Sequence, residues 1–254
     1  MNELWITQLG TVEYREALDL QQRVRAARQA GAVPDVMLLL EHWPVYTRGR
    51  RSGPGELPMG EDWYRTQGID IVETDRGGKV TYHGPGQLVG YPIVGVSDVV
   101  EYVRTLERGL VAALEDEGVV GARARVDDGP DYTGVWVENR KIASIGVHVA
   151  RGVTTHGFAV NVENDLQPFS WIVPCGLDGV AMTSLINETG RSRTTGARPD
   201  QARPEAERAS SPSGQMRCFR KRTAFEVARA LGLRQRIISR ERLEAAVGAA
   251  LTPA

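Results

Sequence analysis

Three β-prone runs follow one another between Gly134 and Val162, and they restrict the fold more than any other stretch of the chain. Gly134 to Val137 and Ile142 to Val149 are separated only by Glu138, Asn139 and Arg140, where Asn139 is suited to the positive φ of a tight turn. Arg151 and Gly152 then mark a second turn into Val153 to Val162. Antiparallel strands this close in sequence predict a sheet built largely from hairpins. The third strand delivers the chain to Trp171-Ile172-Val173-Pro174-Cys175-Gly176. Pro174 and Gly176 take Cys175 out of any ladder, where its sulfur could meet a ligand. Lys141 sits just past the first turn.

Taken alone, an unpaired cysteine is commonly a small buried hydrophobe, and a lysine at a strand edge is commonly a solvated charge. A reactive role for Cys175 requires a nearby cation or positive dipole, because a free thiol has a pKa of about 8.5. Lys141 is the candidate for that charge.

A second glycine-rich block runs from Arg76 to Pro92. Gly77 and Gly78 allow backbone to approach a ligand closely, and Gly84-Pro85-Gly86 forces a turn with Tyr82 and His83 at its shoulder. The block has neither the Gly-x-Gly-x-x-Gly order of dinucleotide sites nor the Gly-x-x-x-x-Gly-Lys-Ser/Thr order of P-loops, so nucleotide binding is weakly supported.

The run from Lys141 to Gly146, the segment Thr155 to Ala159 with Asn161, Pro174-Cys175-Gly176 with Thr183 to Leu185, and the Arg76 to Pro92 block together resemble the octanoyltransferases of lipoate synthesis, within the biotin/lipoate protein ligase-like superfamily. The resemblance covers about residues 3 to 189 and a final helical segment. It implies transfer of octanoyl from octanoyl-acyl carrier protein through a cysteine thioester to a lysine of lipoyl domains, those of 2-oxoacid dehydrogenases and of the glycine cleavage H protein. Cys175 matches the nucleophile, and Lys141 the lysine that lowers its pKa and handles protons. The substrate-binding positions carried over are Arg76, Gly77, Gly78, Lys79, Val80, Thr81, Tyr82 and His83, then Ser144, Ile145 and Gly146, then Gly157, Phe158 and Ala159. Tyr82 is expected to pack the acyl chain, the glycine N–H groups to oppose a developing oxyanion, and His156 to border the acyl pocket. His42 and His148 receive no role. Neither cofactor nor metal is implied. The alternative is an ATP-dependent lipoate or biotin ligase of the same fold, in which Arg48 to Gly53 would cradle phosphates and no enzyme thiol is needed.

Composition excludes other classes. The 254 residues are 41% hydrophobic with a formal net charge of −1, which argues against general nucleic-acid or membrane affinity. Two cysteines without Cys-x-x-Cys spacing suggest neither a disulfide framework nor a zinc site. The N-terminal residues lack a basic segment followed by an apolar one, so a cytoplasmic protein is expected. Arginines at 23, 25 and 28 and at 48, 50 and 51 are either solvated faces or docking points for an acidic carrier.

Leu4 to Leu9 reads as a strand, Val12 to Ala30 as an amphipathic helix, Val36 to Glu41 as a buried strand, residues 49 to 60 as a loop, and Ile69 to Glu73 as a strand. Ser97 to Gly118 is the clearest helix, with Asp98 and Glu101 as a capping box and Gly118 as its stop. Residues 191–215 hold five Arg and no aromatic, Val, Ile or Leu, the composition of a disordered insert. Cys218 lies near it. Helices are expected within 222–251, from Thr223 to Leu231 with a Thr223/Glu226 capping box and from Ser239 to Leu251. The fold class is α/β (α+β mixed): a single catalytic domain with one large, mostly antiparallel mixed sheet flanked by helices, biotin/lipoate ligase-like.

Overall fold

In Asp35–His42 (β2) nearly every residue is buried, because the strand lies inside a sheet covered on both faces. Met37 and Leu39 enter one core, while Val36, Leu38 and Leu40 enter the other. The computed structural model describes residues 2–53, 55–172, 180–190 and 213–251.

Along the chain, β1 (Glu3–Val12) and α1 (Tyr14–Gln29) precede β2. After it come β3 (Val45–Arg48), α2 (Glu61–Thr66), β4 (Asp70–Glu73), β5 (Thr81–His83), β6 (Gln87–Ile93) and α3 (Val99–Asp116). Next are β7 (Ala122–Ala124), β8 (Gly134–Val137), β9 (Arg140–Ala150), β10 (Val153–Asn161), β11 (Ala181–Met182) and α4 (Leu185–Thr189). The last elements are α5 (Gly214–Ala230), β12 (Arg234–Ile237) and α6 (Arg240–Leu251).

The main sheet has nine strands in the order β12-β1-β2-β6-β10-β9-β8-β7, with β11 added beside β9. Along the path from β2 to β7 every pair is antiparallel, whereas β11 runs parallel to β9 and β1 runs parallel to both β2 and β12. The mostly antiparallel mixed sheet expected from the hairpins is thus present. Helices α3 and α5 cover one face through Leu106, Leu110, Phe219 and Val227; α1 and α6 cover the other through Leu20, Val24, Leu243 and Val247.

One sheet was expected, and the described residues form two. The second holds β4-β3-β5 and packs its aromatic residues Tyr46 and Tyr82 against Tyr64 and Phe169. Its β3 escapes sequence reading because four residues behind a proline carry little pattern. The turn before β9 takes its positive φ at Glu138 (53°) rather than Asn139. Helix α5 starts at Gly214, capped by Ser213 Oγ on the Met216 N–H, and not at Thr223, which is buried inside it. Of the residues assigned to the insert, Ser213 therefore caps α5 and Gly214 and Gln215 belong to its first turn; 191–212 lie outside the described residues. Cys218 is exposed on α5. Helix α3 follows its expected boundaries, with the Asp98 carboxylate accepting from the Val100 and Glu101 N–H groups.

Candidate active site

The route from sequence to site begins with a bulge. Val135 pairs with Ala143 but Trp136 pairs with Lys141, so Ile142 is an extra residue in β9. A bulge breaks the two-residue alternation of a strand and re-aims the side chain beside it. Ile142 and Ala143 both join the core beneath the sheet. Lys141 instead lines both cavities described below and is only 2% exposed. Its Nζ lies 5.2 Å from the centroid of the Trp136 ring.

Gly134 makes room for that lysine. A Cβ there would lie 2.3 Å from the Ala143 carbonyl oxygen and 2.9 Å from Lys141 Cε, and the residue sits at φ 135°. Its N–H donates to Glu107 Oε1 at 2.9 Å, and Glu107, buried in α3, is paired with Arg104 at 2.6 Å. Helix α3 thus holds the strand opposite Lys141.

Lys141 stands where two cavities meet. One is a slot of about 60 Å³ lined by Ile145, Phe158, Ala159 and Val80, with Arg76 and His83 among its polar groups. The other is a wider cleft of about 460 Å³ lined by Val99, Val100, Val103 and Val126 and by Arg51, Lys79 and Arg104. Gly78, Lys79, Lys141, Ile145 and Gly146 line both. The segment at Arg76 to Gly78 arches over β9 to separate them, and the Gly77 N–H donates to the Val147 carbonyl at 2.9 Å. A Cβ at Gly146 would fall 2.8 Å from the Gly77 carbonyl oxygen, so the arch needs glycine beneath it. Arg76 fixes the arch from inside through Thr47, donating to its carbonyl at 2.6 Å and to its hydroxyl at 2.8 Å.

Tyr14, His83, Tyr91 and His156 also line the slot, and His42 packs against the first three of them. His42 Nδ1–H donates to the Val12 carbonyl at 2.9 Å, and His42 Nε2 accepts from the Tyr91 hydroxyl at 2.7 Å. Burial lowers the His42 pKa to about 4, so the ring is neutral at pH 7. His156 donates from Nε2 to Asp75 at 2.7 Å, and its Nδ1 lies 3.5 Å from the Tyr14 hydroxyl. That hydrogen bond holds Asp75 ionised, with its pKa near 2, while burial lowers the pKa of His156. Burial also pushes Tyr14 up to about 12.

Of the residues expected to bind substrate, Arg76, Gly78, Lys79, Val80, Thr81, His83, Ser144, Ile145, Gly146, Gly157, Phe158 and Ala159 line the slot. Gly77 lines the cleft instead. Tyr82 lines neither; its ring packs 5.5 Å from both Tyr46 and Phe169, where the β3–β5 register places it. The Gly77 N–H, already given to Val147, is not available to an oxyanion. Cys175 lies outside the described residues. Among the described residues on either side, Tyr64 donates to the Trp171 carbonyl at 2.6 Å, and Met182 pairs with Lys141. Sequence reading missed Tyr14 and Tyr91 at the slot. Among the described residues no group of His, Cys, Asp and Glu is arranged to hold a metal, and no helix is long and apolar enough to cross a membrane.

Residues 13–198 match the lipoyl protein ligase A/B catalytic domain. The chain is 48% identical over 196 residues to an octanoyltransferase of Mycobacterium leprae, covering 74% of this chain and 79% of that protein. An octanoyltransferase of Mycobacterium tuberculosis is 49% identical over 195 residues, with the same coverage of 74% and 79%. Among solved structures, a lipoate-protein ligase A bound with ATP superposes with a TM-score of 0.65 at 16% identity, over 98% of this chain and 93% of that one. A lipoate protein ligase from T. acidophilum with bound lipoic acid gives 0.64 at 14% identity, over 98% and 93%. These structures establish the shared fold, and the sequence matches place the chain more narrowly: it belongs to the lipoyl protein ligase A/B catalytic domain family, alongside the octanoyltransferases.

Proposed function

We propose that the chain moves an octanoyl group from octanoyl-acyl carrier protein to Cys175 and then to the lysine of lipoyl domains, working as one catalytic domain in the cytoplasm. The acyltransferase class follows from the octanoyltransferase relatives; the donor, the thioester and the acceptors go beyond them. The observation that carries it is Lys141, buried where a narrow slot opens into a wider cleft. The slot takes the acyl chain between Ile145, Phe158 and Ala159, and the cleft admits first the arm of the donor and then the acceptor lysine. The reacting carbonyl lies at the junction.

In the first half-reaction the Cys175 thiolate attacks the donor thioester, a new C–S bond forms, and the donor's C–S bond breaks to release its thiolate. Thioester exchange is nearly balanced, and a thiolate both attacks and leaves well. In the second, the acceptor nitrogen attacks, a C–N bond forms, and the Cys175 C–S bond breaks. The amine, with a pKa of about 10.4 in its free state, must shed a proton, and Lys141 is the relay for it. Acceptors are lipoyl domains of 2-oxoacid dehydrogenases and the glycine cleavage H protein.

The test is transfer from octanoyl-acyl carrier protein to a purified lipoyl domain, with and without ATP. Equal transfer in both supports the reading. Modification seen only with free octanoate and ATP would replace it with a ligase.

A further inference from the structure

Trp136 and Lys141 oppose each other across β8 and β9 as a registered pair, so their side chains share one face of the sheet. The Lys141 stem runs from there over Gly134, where a Cβ would lie 2.9 Å from Cε, and its Nζ stands 5.2 Å from the centroid of the Trp136 ring. Both side chains are shut away from water: Trp136 is wholly buried and Lys141 nearly so. An ammonium is drawn to an aromatic face most strongly where water is excluded.

The ring is itself held in place. Its Nε1–H donates to the Tyr132 carbonyl at 2.8 Å, and the Tyr132 ring packs against it at 5.6 Å. The Arg125 guanidinium, paired with Asp128, lies 4.3 Å from the centroid of the Tyr132 ring and 5.0 Å from that of Trp136. Acid, by contrast, is scarce around the lysine. Among the described residues that line the slot and the cleft the one carboxylate is Asp131, and it is paired with Arg51 at 2.9 Å. A carboxylate against Lys141 would tie up the proton that a relay must pass on. An indole ring holds the ammonium by attraction alone and accepts no proton.

We propose that Trp136 is a positioning residue that holds the ammonium of Lys141 at the junction of the slot and the cleft. The inference rests on the acyl transfer proposed above for the work that Lys141 does there. The hold depends on charge: the negative face of the ring attracts the ammonium and not the neutral amine. Lysine is therefore gripped while it carries the proton and loosened once it has given the proton up.

The experiment has two readouts on the full chain. Trp136→Leu would open a hole beneath Lys141, so the first readout keeps the ring and weakens its negative face. Increasingly fluorinated tryptophan, incorporated at this position alone, preserves the shape of the indole and its N–H donor. The kcat of transfer from octanoyl-acyl carrier protein to a lipoyl domain is expected to fall with each added fluorine, on the order of tenfold across the series, while KM for the donor holds. Equal kcat across the series, or a loss confined to KM, overturns the proposal. The second readout is NMR of the wild type, in which Lys141 has only Lys79 and Lys221 as fellow lysines. The ring current of Trp136 is expected to move the side-chain signals of Lys141 upfield of theirs; unshifted signals overturn the proposal without any variant having to fold. Wild-type protein that transfers nothing, with that shift intact, would instead defeat the reading of function.

Discussion

Glu41 and His42 are neighbours on β2 and point to opposite faces of the sheet, and the two faces bury polar groups in different ways. On the α5 side the cluster stays charged: Arg220 donates to Glu41 at 2.9 Å, and the Gly86 N–H donates to the same carboxylate at 2.8 Å. On the α1 side the rings discard their charge: His42 and His83 are neutral and hydrogen-bonded, beside phenols that stay protonated. The first solution ties residues 179 positions apart and fastens α5 to the centre of the sheet. The second builds part of the wall of a slot whose field adds no positive charge to its lysines and arginine. Opposite demands, anchoring and reaction, thus fall on adjacent residues of one strand.

Breaking the charged cluster is expected to have the largest effect on stability. Arg220→Met leaves Glu41 buried without its cation and should cost about 3–5 kcal/mol in chemical denaturation. The double variant Glu41→Leu with Arg220→Met should recover most of that loss, because an apolar pair replaces the ion pair at little net cost. Failure of the double variant to recover would mean that the pair does more than neutralise itself.

Acidification attacks the neutral face. The folded pKa of His42 is lowered from 6.5 to about 4, so the unfolded chain binds its proton first. Stability is full above pH 6.5 and is lost as the pH falls toward 4, by about 3 kcal/mol from this group. Glu41, whose pKa burial raises, works in the opposite direction, and Asp75, near 2, titrates below this window. His83 and His156, lowered by burial in the same way, add to that loss, so stability plotted against pH should fall less steeply in His42→Gln than in the wild type without becoming flat.

Smaller effects sharpen the contrast. Tyr91→Phe removes the donor to His42 Nε2 and leaves a buried acceptor, expected to cost about 1–3 kcal/mol by thermal or chemical unfolding. Arg222, two residues beyond Arg220 on the same helix, pairs with Asp116 at 3.1 Å with both side chains half exposed. Arg222→Ala should change stability by less than about 1 kcal/mol. An effect equal to that of Arg220→Met would deny that burial distinguishes the two pairs.

How much of this was legible in sequence depended on how local the cause was. The cap of α3 needs only Asp98 and the N–H groups of the next turn, so that half of the expected box was legible, while the Glu101 carboxylate accepts from Arg108 instead. The β8–β9–β10 hairpins declare themselves by short turns, and Lys141 follows from them. The His42 side of the slot does not. Tyr14 and Tyr91 meet there only because β2 and β6 pair within the sheet and α1 packs on its face, a placement no short window contains. Tyr82 was misplaced because its strand belongs to a second sheet whose β3 leaves almost no pattern. The start of α5 was misplaced because Thr223 and Glu226 have capping-box spacing in the middle of a helix that begins at Gly214. The bulge at Ile142, which turns Lys141 toward the cavities, breaks the very alternation from which strand faces are read.

The central claim is a covalent octanoyl enzyme, and intact mass tests it most directly. Purified protein incubated with octanoyl-acyl carrier protein, without ATP, should gain one octanoyl group on the peptide carrying Cys175, and added lipoyl domain should discharge it. Cys175→Ser should gain none. Transfer to the lipoyl domain with no enzyme-bound octanoyl at any time, or with an adduct elsewhere than Cys175, would contradict the account.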